Sequence, residues 1–511
     1  MHQRWLRSLF RRRMLTIFLL LVQVWFLIRI VTDGSQFSQK FSHLLTLVSI
    51  AAGLYIVSRK DNGAYKTAWS ILILSVPLFG GFLYLLSTVQ ASKWRFSKNV
   101  RHTQEKAKAL YDSSGSCYVT AMEQLPQHRT QIRYLEHFSG FPIYADTETH
   151  YLTPGEKKLE AMLTELERAE RYIFMEYFIV QEGVMWDSIL RILKRKAAQG
   201  VKVRLLYDDM GCFLTLPKDY PKQLKRYGIE CAVFNPFRPV LTVKQNNRDH
   251  RKITVIDGKV AFTGGINLAD EYINAIEKHG HWKDAAIMLK GRAAWSFTLM
   301  FLQMWELCTH VDEPYERFAP WREEACDIRA EGYVQPYADS PMDEENVGEH
   351  VYLQIINGAK DYVYINTPYL IVDDSVLSAL CLAAKSGVDV RIVTPHRWDK
   401  WLVHMTTRSY YRELVKAGVK IYEYTSGFIH AKTFVSDDQI ATVGTTNLDF
   451  RSLYLHYECG TVLYKCSSVM EVKEDFMQTL HLCQPITEQE CSANLMLRLL
   501  QDILRLFAPL M

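Results

Sequence analysis

Two stretches of this chain carry the same pattern of residues at the same spacing. The first holds His250, Lys252, Asp257, Gly264, Gly265 and Asn267; the second holds His430, Lys432, Asp437, Gly444, Thr445 and Asn447. The match extends upstream. Asp187-Ser188-Ile189-Leu190 and Gly200-Val201-Lys202-Val203-Arg204 return in the same order, at a constant offset, as Asp374-Ser375-Val376-Leu377 and Gly387-Val388-Asp389-Val390-Arg391. A repeat of this length is far too long for a solenoid unit. Each half reads as strand, helix, strand, helix, strand. The strands are short apolar runs such as 203–207 and 390–393, and the helices carry apolar faces such as Ile189, Ile192, Leu193 and Ala197. Strands alternating with helices predict an α/β fold whose sheet is covered on both faces. Two such halves predict a pseudo-twofold body with a site where they meet.

The repeated residues suggest what that site does. His and Lys two apart on a strand point to one face, because side chains alternate. Asp257-Gly258 and Asp437-Asp438 read as tight turns between two apolar strands. The Gly and Asn ending the second strand then return beside the His and Lys. Two facing histidines can divide nucleophile and general acid between them. Two lysines with Asn267 and Asn447 make an anion hole suited to a phosphoryl group, and such a displacement needs no metal. A lone His-x-Lys would more often be a solvated strand end; the doubled context argues for a site. For Asp257 and Asp437, a turn aspartate that caps backbone explains the position as well as catalysis does.

The charge is unevenly spread. Residues 1–110 hold 16 Lys and Arg against three acids, whereas the rest of the chain holds 44 basic and 53 acidic side chains. A basic end on a mildly acidic body suggests an anchor at an anionic surface. Within that end, the runs 14–31, 41–58 and 67–90 are nearly or wholly free of charge, and each approaches the ~20 residues that cross a hydrocarbon core. The first is too long for a signal peptide and lacks a small-residue cleavage site. Residues 1–110 are therefore expected to form a multi-pass anchor in the cell membrane. Basic residues flank both ends of the spans, so charge alone leaves the side of the body open. The ten cysteines, scattered without a CxxC pair, favour a reduced, cytoplasmic body.

The paired H-x-K-x4-D-x6-G stretches resemble the motifs of the phospholipase D superfamily, over most of residues 150–465. Ala68-Trp69, Pro77, Gly80-Gly81 and Tyr84-Leu85-Leu86 resemble the membrane segment of bacterial cardiolipin synthases, as does Gly444-Thr445-Thr446-Asn447-Leu448-Asp449-Phe450-Arg451-Ser452. Asp61-Asn62-Gly63 departs from the Asn-Pro often found there. The resemblance implies two tandem phospholipase D-like α/β sandwich halves, at 111–335 and 336–490. A helical transmembrane anchor precedes them, and an amphipathic helix follows at 491–511. It implies transfer of a phosphatidyl group from one phosphatidylglycerol to another, giving cardiolipin and glycerol without a cofactor. His250 would be the nucleophile and His430 the acid and then base. Lys252, Lys432, Asn267 and Asn447 would hold the phosphate. It also implies that a carboxylate further along the chain orients each histidine: Asp284 follows His250, and Glu458 follows His430, at comparable places in the repeat.

Rival readings bear on the same residues. A nuclease should present a basic body to its polyanion, and this body is acidic. A phosphodiesterase hydrolysing phospholipid would use the same histidines, and phosphatidylethanolamine is an alternative co-substrate. A non-catalytic scaffold would not need both motifs complete. His279, His281 and Asp284 fall short of the usual zinc ligand set. Glu176 ends a strand where α/β sheets place ligands, but its partner position, Asn366, is not acidic. In residues 495–510, leucines at helical spacing suggest core packing, with interfacial docking the alternative.

Overall fold

The computed structural model describes residues 25, 36–59, 62–75, 81, 84, 91–111, 115–236, 246–320, 330–342, 345–491 and 495–510. The chain forms two compact units: residues 1–95, 237–246 and 503–511 in one, and 96–236 and 247–502 in the other.

In the first unit, a helix spans Gln36–Ser58 and a second spans Gly63–Ser75. The Asp61-Asn62-Gly63 departure has a local use: the Asn62 side chain accepts a hydrogen bond from Ala64 N at 2.9 Å and caps the second helix. Ile56, Trp69, Ile73 and Tyr84 pack together, while Leu47, Val48, Leu54 and Val57 are exposed. The run 14–31 lies outside the described residues apart from Trp25, and 67–90 is described only in part. No described helix is long and apolar enough to cross a membrane. At the other end, Leu495–Phe507 is helical, but only Leu504 within it is buried; Leu495, Met496, Leu499 and Ile503 are exposed, contrary to the expected core packing.

The second unit contains both halves of the repeat. The first half runs β1 (Thr147–Leu152), β2 (Tyr172–Tyr177), β3 (Lys202–Asp208), β4 (Glu230–Phe234), β5 (Arg248–Asp249), β6 (Lys252–Ile256), β7 (Val260–Gly264), β8 (His281–Lys283) and β9 (Ala286–Gly291). The second runs β10 (Tyr333–Asp339), β11 (Tyr362–Asn366), β12 (Leu370–Ile371), β13 (Asp389–Pro395), β14 (Lys420–Tyr424), β15 (Gly427–Ile429), β16 (Thr433–Ser436), β17 (Ile440–Gly444), β18 (Leu448–Asp449), β19 (His456–Tyr464) and β20 (Cys483–Pro485). One sheet has the order β1-β9-β7-β6-β2-β3-β4, and the other β10-β19-β17-β16-β11-β13-β14-β20. The centres of the two orders correspond, as the repeat requires. β2, β3 and β4 are parallel, β6 is antiparallel to β2, and β11, β13, β14 and β16 repeat the arrangement.

Alternation divides each strand between two cores. Tyr172 and Phe174 of β2 face a core shared by both sheets, whereas Ile173, Met175 and Tyr177 face a second core with the helices Gly155–Glu167 and Val184–Ala198. The shared core contains the helix Ala293–Thr309, which is apolar on all sides because sheet surrounds it; 13 of its 17 residues are buried.

The two turns form as expected. Asp257 and Gly258 have φ of 54° and 71°, and Asp437 and Asp438 have 52° and 56°. Aspartate and glycine tolerate this left-handed backbone better than most residues.

Candidate active site

The register places His250 and Lys252 at one edge of the first sheet. Lys252 pairs with Tyr177, the last residue of β2, so the motif starts where the parallel strands end. In the second half Thr433 pairs with Asn366 at the end of β11, and His430 and Lys432 immediately precede it.

Two short ladders then join the halves. β5 pairs with β19 in parallel, and His250 N donates to Tyr457 O at 2.9 Å. β15 pairs with β8 in parallel, and His430 N donates to Lys283 O at 2.7 Å. Each ladder sets a histidine beside a carboxylate of the other half. His250 Nδ1 lies 2.9 and 3.1 Å from the Glu458 oxygens, and His430 Nδ1 lies 2.7 Å from Asp284 Oδ2. The carboxylates are thus exchanged between halves relative to their order along the chain. Both are fully buried, and each histidine is 8% exposed. A buried carboxylate at Nδ1 fixes the proton there and leaves the Nε2 lone pair free.

The surroundings of the two carboxylates differ. Glu458 also accepts a hydrogen bond from the Thr445 hydroxyl. Gly265 stands at the corresponding place beside Asp284, where a Cβ would collide with Asp284 Oδ1. The shorter aspartate is therefore served by the smaller residue.

The lysines are buried with the imidazoles. Lys252 Nζ donates to His250 O at 2.5 Å; Lys432 Nζ donates to His430 O and lies 2.8 Å from His430 Nδ1. Burial pushes Lys252 down to about 8 and Lys432 to about 7, against the pull of Glu458 and Asp284. Burial, then the neighbouring lysines, holds His430 at about 4 and His250 well below its ordinary value. Both histidines are therefore neutral at rest. An anion entering here would favour the protonated form of every one of these groups.

That coupling has a sign. Lys432 gains a proton on anion binding between its free value of about 7 and a higher bound value. Affinity for a non-titrating oxyanion such as tungstate should therefore rise as pH falls towards 7, by up to about tenfold per unit for each proton taken up. Calorimetric titration between pH 9 and pH 7 measures it; an affinity independent of pH would contradict the linkage.

Asn267 and Asn447 are buried close to their motifs, but each spends a donor elsewhere. Asn267 Nδ2 donates to Tyr272 OH at 2.7 Å and its Oδ1 accepts from Ile179 N; Asn447 Nδ2 donates to Asp449 Oδ2 at 2.9 Å. Each amide keeps one further N–H.

Asp257 and Asp437 are not brought to the imidazoles. Asp257 accepts from the backbone N–H of Glu170, Arg171 and Tyr172 at 2.7–2.8 Å, and Asp437 from Lys360, Asp361 and Tyr362 at 2.7–3.0 Å. The whole of β6 separates Asp257 from Lys252, about 17 Å of extended chain. The aspartates tie each turn to the start of the neighbouring strand, β2 or β11. Asp257→Ala should cost about 2–3 kcal/mol of stability by stranding those N–H groups, while kcat of the folded fraction stays within about twofold. Chemical denaturation beside an assay of folded protein checks both.

Glu176 is fully buried and 2.7 Å from Arg251, which alternates with His250 and Lys252 on its segment. Burial holds Glu176 well above the usual carboxylate range. His281 Nδ1 meets Tyr424 OH at 2.9 Å and Asp284 meets His430, so the cluster with His279 does not assemble. Among the described residues, the side chains that could hold a metal ion are instead His250, His456 and Glu458, with ligand atoms within 4.8 Å of one another.

His456 escaped the sequence reading. Its ring lies 5.5 Å from that of His250, and Trp282 lies 5.4 Å from His430. Both stand two positions before the orienting carboxylate, and that shared spacing was the available signal. The histidines thus sit in unlike surroundings: His250 between Phe178 and His456, His430 between Tyr272 and Trp282.

Known proteins place this arrangement. An uncharacterized protein of Streptococcus mutans serotype c is 44% identical over 465 residues, 90% of this chain and 100% of that one. Cardiolipin synthase 2 of Bacillus anthracis is 36% identical over 479 residues, 91% of this chain and 90% of that one. The crystal structure of phosphatidylserine synthase from Haemophilus influenzae shares the fold, with a TM-score of 0.56 at 14% identity over 74% of this chain and 97% of that one. Residues 162–304 and 352–480, one segment in each half, match the family described as cardiolipin synthase, phospholipase D-like domain. The chain belongs to that family.

Proposed function

We propose that the protein is a cardiolipin synthase, transferring a phosphatidyl group between two phosphatidylglycerols. The observation that carries the reading is the pair of buried imidazoles, each with Nδ1 on a carboxylate, beside two buried lysines. In the first step His250 Nε2 attacks phosphorus, the bond from phosphorus to the headgroup glycerol oxygen breaks, and His430 gives that oxygen a proton. In the second, a headgroup hydroxyl of another phosphatidylglycerol gives its proton to His430 and attacks phosphorus. The P–N bond breaks, cardiolipin leaves, and His250 returns to its neutral state. Lys252 and Lys432 hold the non-bridging oxygens, with the spare N–H groups of Asn267 and Asn447 in support. His430 is neutral at rest, so the proton it spends in the first step is one its Nε2 takes up from solvent as the lipid binds, because the incoming phosphodiester charge raises its proton affinity. The second step returns that proton to it.

The N-terminal unit is taken to hold the enzyme in the cell membrane with the body on the cytoplasmic side. The charge-free runs and the exposed Leu47, Val48, Leu54 and Val57 support the first point. The nine described cysteines, all free thiols, support the second.

The test is purified protein in detergent with phosphatidylglycerol as the only lipid and products resolved by mass spectrometry. Cardiolipin with free glycerol is the expected result. Phosphatidic acid with glycerol and no cardiolipin would make the protein a phospholipase, and no turnover without a second lipid would turn attention to phosphatidylethanolamine.

A further inference from the structure

The edge of the sheets that carries the histidines also carries exposed apolar side chains, in both halves and at the same place in the repeat. The loop after β3 exposes Met210 (41%) and Leu214 (77%). The corresponding segment after β13, running into the helix Trp401–Lys416, exposes Trp398 (53%), Trp401 (46%) and Leu402 (50%). Register fixes where these segments leave the fold. Tyr207 of β3 pairs with Tyr177 of β2, which pairs with Lys252; Val393 of β13 pairs with Asn366 of β11, which pairs with Thr433. Both segments thus emerge beside the reactive groups.

Contacts tie them to the site. Val180 N donates to Cys212 Sγ, the Thr215 hydroxyl donates to Val180 O, and Phe178 stacks edge-on against His250 at 5.1 Å. In the other half the Tyr369 hydroxyl donates to Asp399 at 2.6 Å, turning that acid inward. Arg397 and Lys400 remain exposed on the segment, with Lys400 3.9 Å from Asp399. Lone exposed apolar residues mean little, but two tryptophans and a leucine on one short segment, matched across the repeat and set among cations, form a surface built for an interface. Indole rings settle at the level of lipid headgroups, and exposed Arg and Lys favour anionic lipid.

We infer that the segments 209–216 and 396–402 dock on an anionic bilayer and hold the histidine edge at its surface, so that phosphatidylglycerol reaches the site without leaving the lipid phase. The inference deepens the lipid-transferase reading and rests on it.

The experiment uses the full chain in proteoliposomes containing phosphatidylglycerol, wild type against Trp398→Ser/Trp401→Ser/Leu402→Ser, with Trp398→Phe/Trp401→Phe as the conservative control. Turnover of bilayer phosphatidylglycerol should fall about tenfold in the serine variant and recover in the phenylalanine variant. Turnover of a short-chain phosphatidylglycerol below its micelle concentration should stay within about twofold, since only presentation is lost. Equal losses on both substrates, or none on the bilayer, would overturn the inference. A change in oligomeric state by light scattering in the serine variant would assign the surface to a second copy and overturn it too. Quenching of tryptophan fluorescence by brominated phosphatidylglycerol needs no turnover. A smaller quench in the serine variant supports docking even if the enzyme makes no cardiolipin, and an unchanged quench counts against docking.

Discussion

His250→Ala is expected to lower cardiolipin synthesis about ten-thousandfold or more in a folded protein, and His430→Ala to a similar degree, because each removes a group that makes a bond or moves a proton in the reaction itself. The two losses should differ in kind. Without His250 no phosphatidyl-enzyme forms, whatever the leaving group. Without His430 the attack is intact, but glycerol leaves as an unprotonated alkoxide. A phosphatidyl ester of p-nitrophenol, whose anion departs without a proton, should therefore restore formation of the covalent intermediate in His430→Ala and not in His250→Ala. Rapid quenching with labelled lipid followed by peptide mass spectrometry reads this. Substantial synthesis by either variant would sink the two-histidine mechanism, and rescue of the opposite variant would exchange the roles.

Much of this site is legible in the sequence because its parts are local. His and Lys two apart, the Asp-centred turns and the returning Gly and Asn all lie within one short stretch of each half, 250–267 and 430–447, where strand alternation and turn chemistry apply directly. The repeat itself reports the two sheets, since their equivalent strands carry equivalent spacings. What could not be read are the contacts made between halves. β5 and β19 share two residue pairs, and β15 and β8 share three, far too few to leave a periodic signature. Those ladders decide which carboxylate meets which histidine. His456 went unnoticed for a related reason: its counterpart is Trp282, so comparing the halves for shared chemistry passes over it. For Asp257 and Asp437 turn chemistry already offers backbone capping beside catalysis, and only the contacts decide for capping, because spacing cannot tell which end of a strand a side chain serves. At the N-terminus, no described helix meets the length and apolarity of a crossing, and of the three apolar runs 14–31 lies outside the described residues apart from Trp25 and 67–90 is described only in part.

The exchanged carboxylates carry the second large effect. Glu458→Gln should lower turnover by roughly a hundredfold to ten-thousandfold, and Asp284→Asn likewise, because an amide no longer enforces the Nδ1–H tautomer or stabilises positive charge on the ring. The contacts dictate which step each one damages. Glu458 meets His250 at 2.9 Å, so Glu458→Gln weakens the nucleophile, and the p-nitrophenyl ester should not rescue it. Asp284 meets His430 at 2.7 Å, so Asp284→Asn weakens the acid, and the same ester should rescue it. Pairing within each half would reverse both outcomes. The double variants sharpen the test, since groups acting as a unit are not additive. His250→Ala with Glu458→Gln should be no slower than His250→Ala alone, whereas Glu458→Gln with Asp284→Asn should be slower than either single change. Neither half could then orient its own histidine. Each completes the other's, and a half-repeat expressed alone would carry an imidazole and a lysine with no carboxylate to set the tautomer.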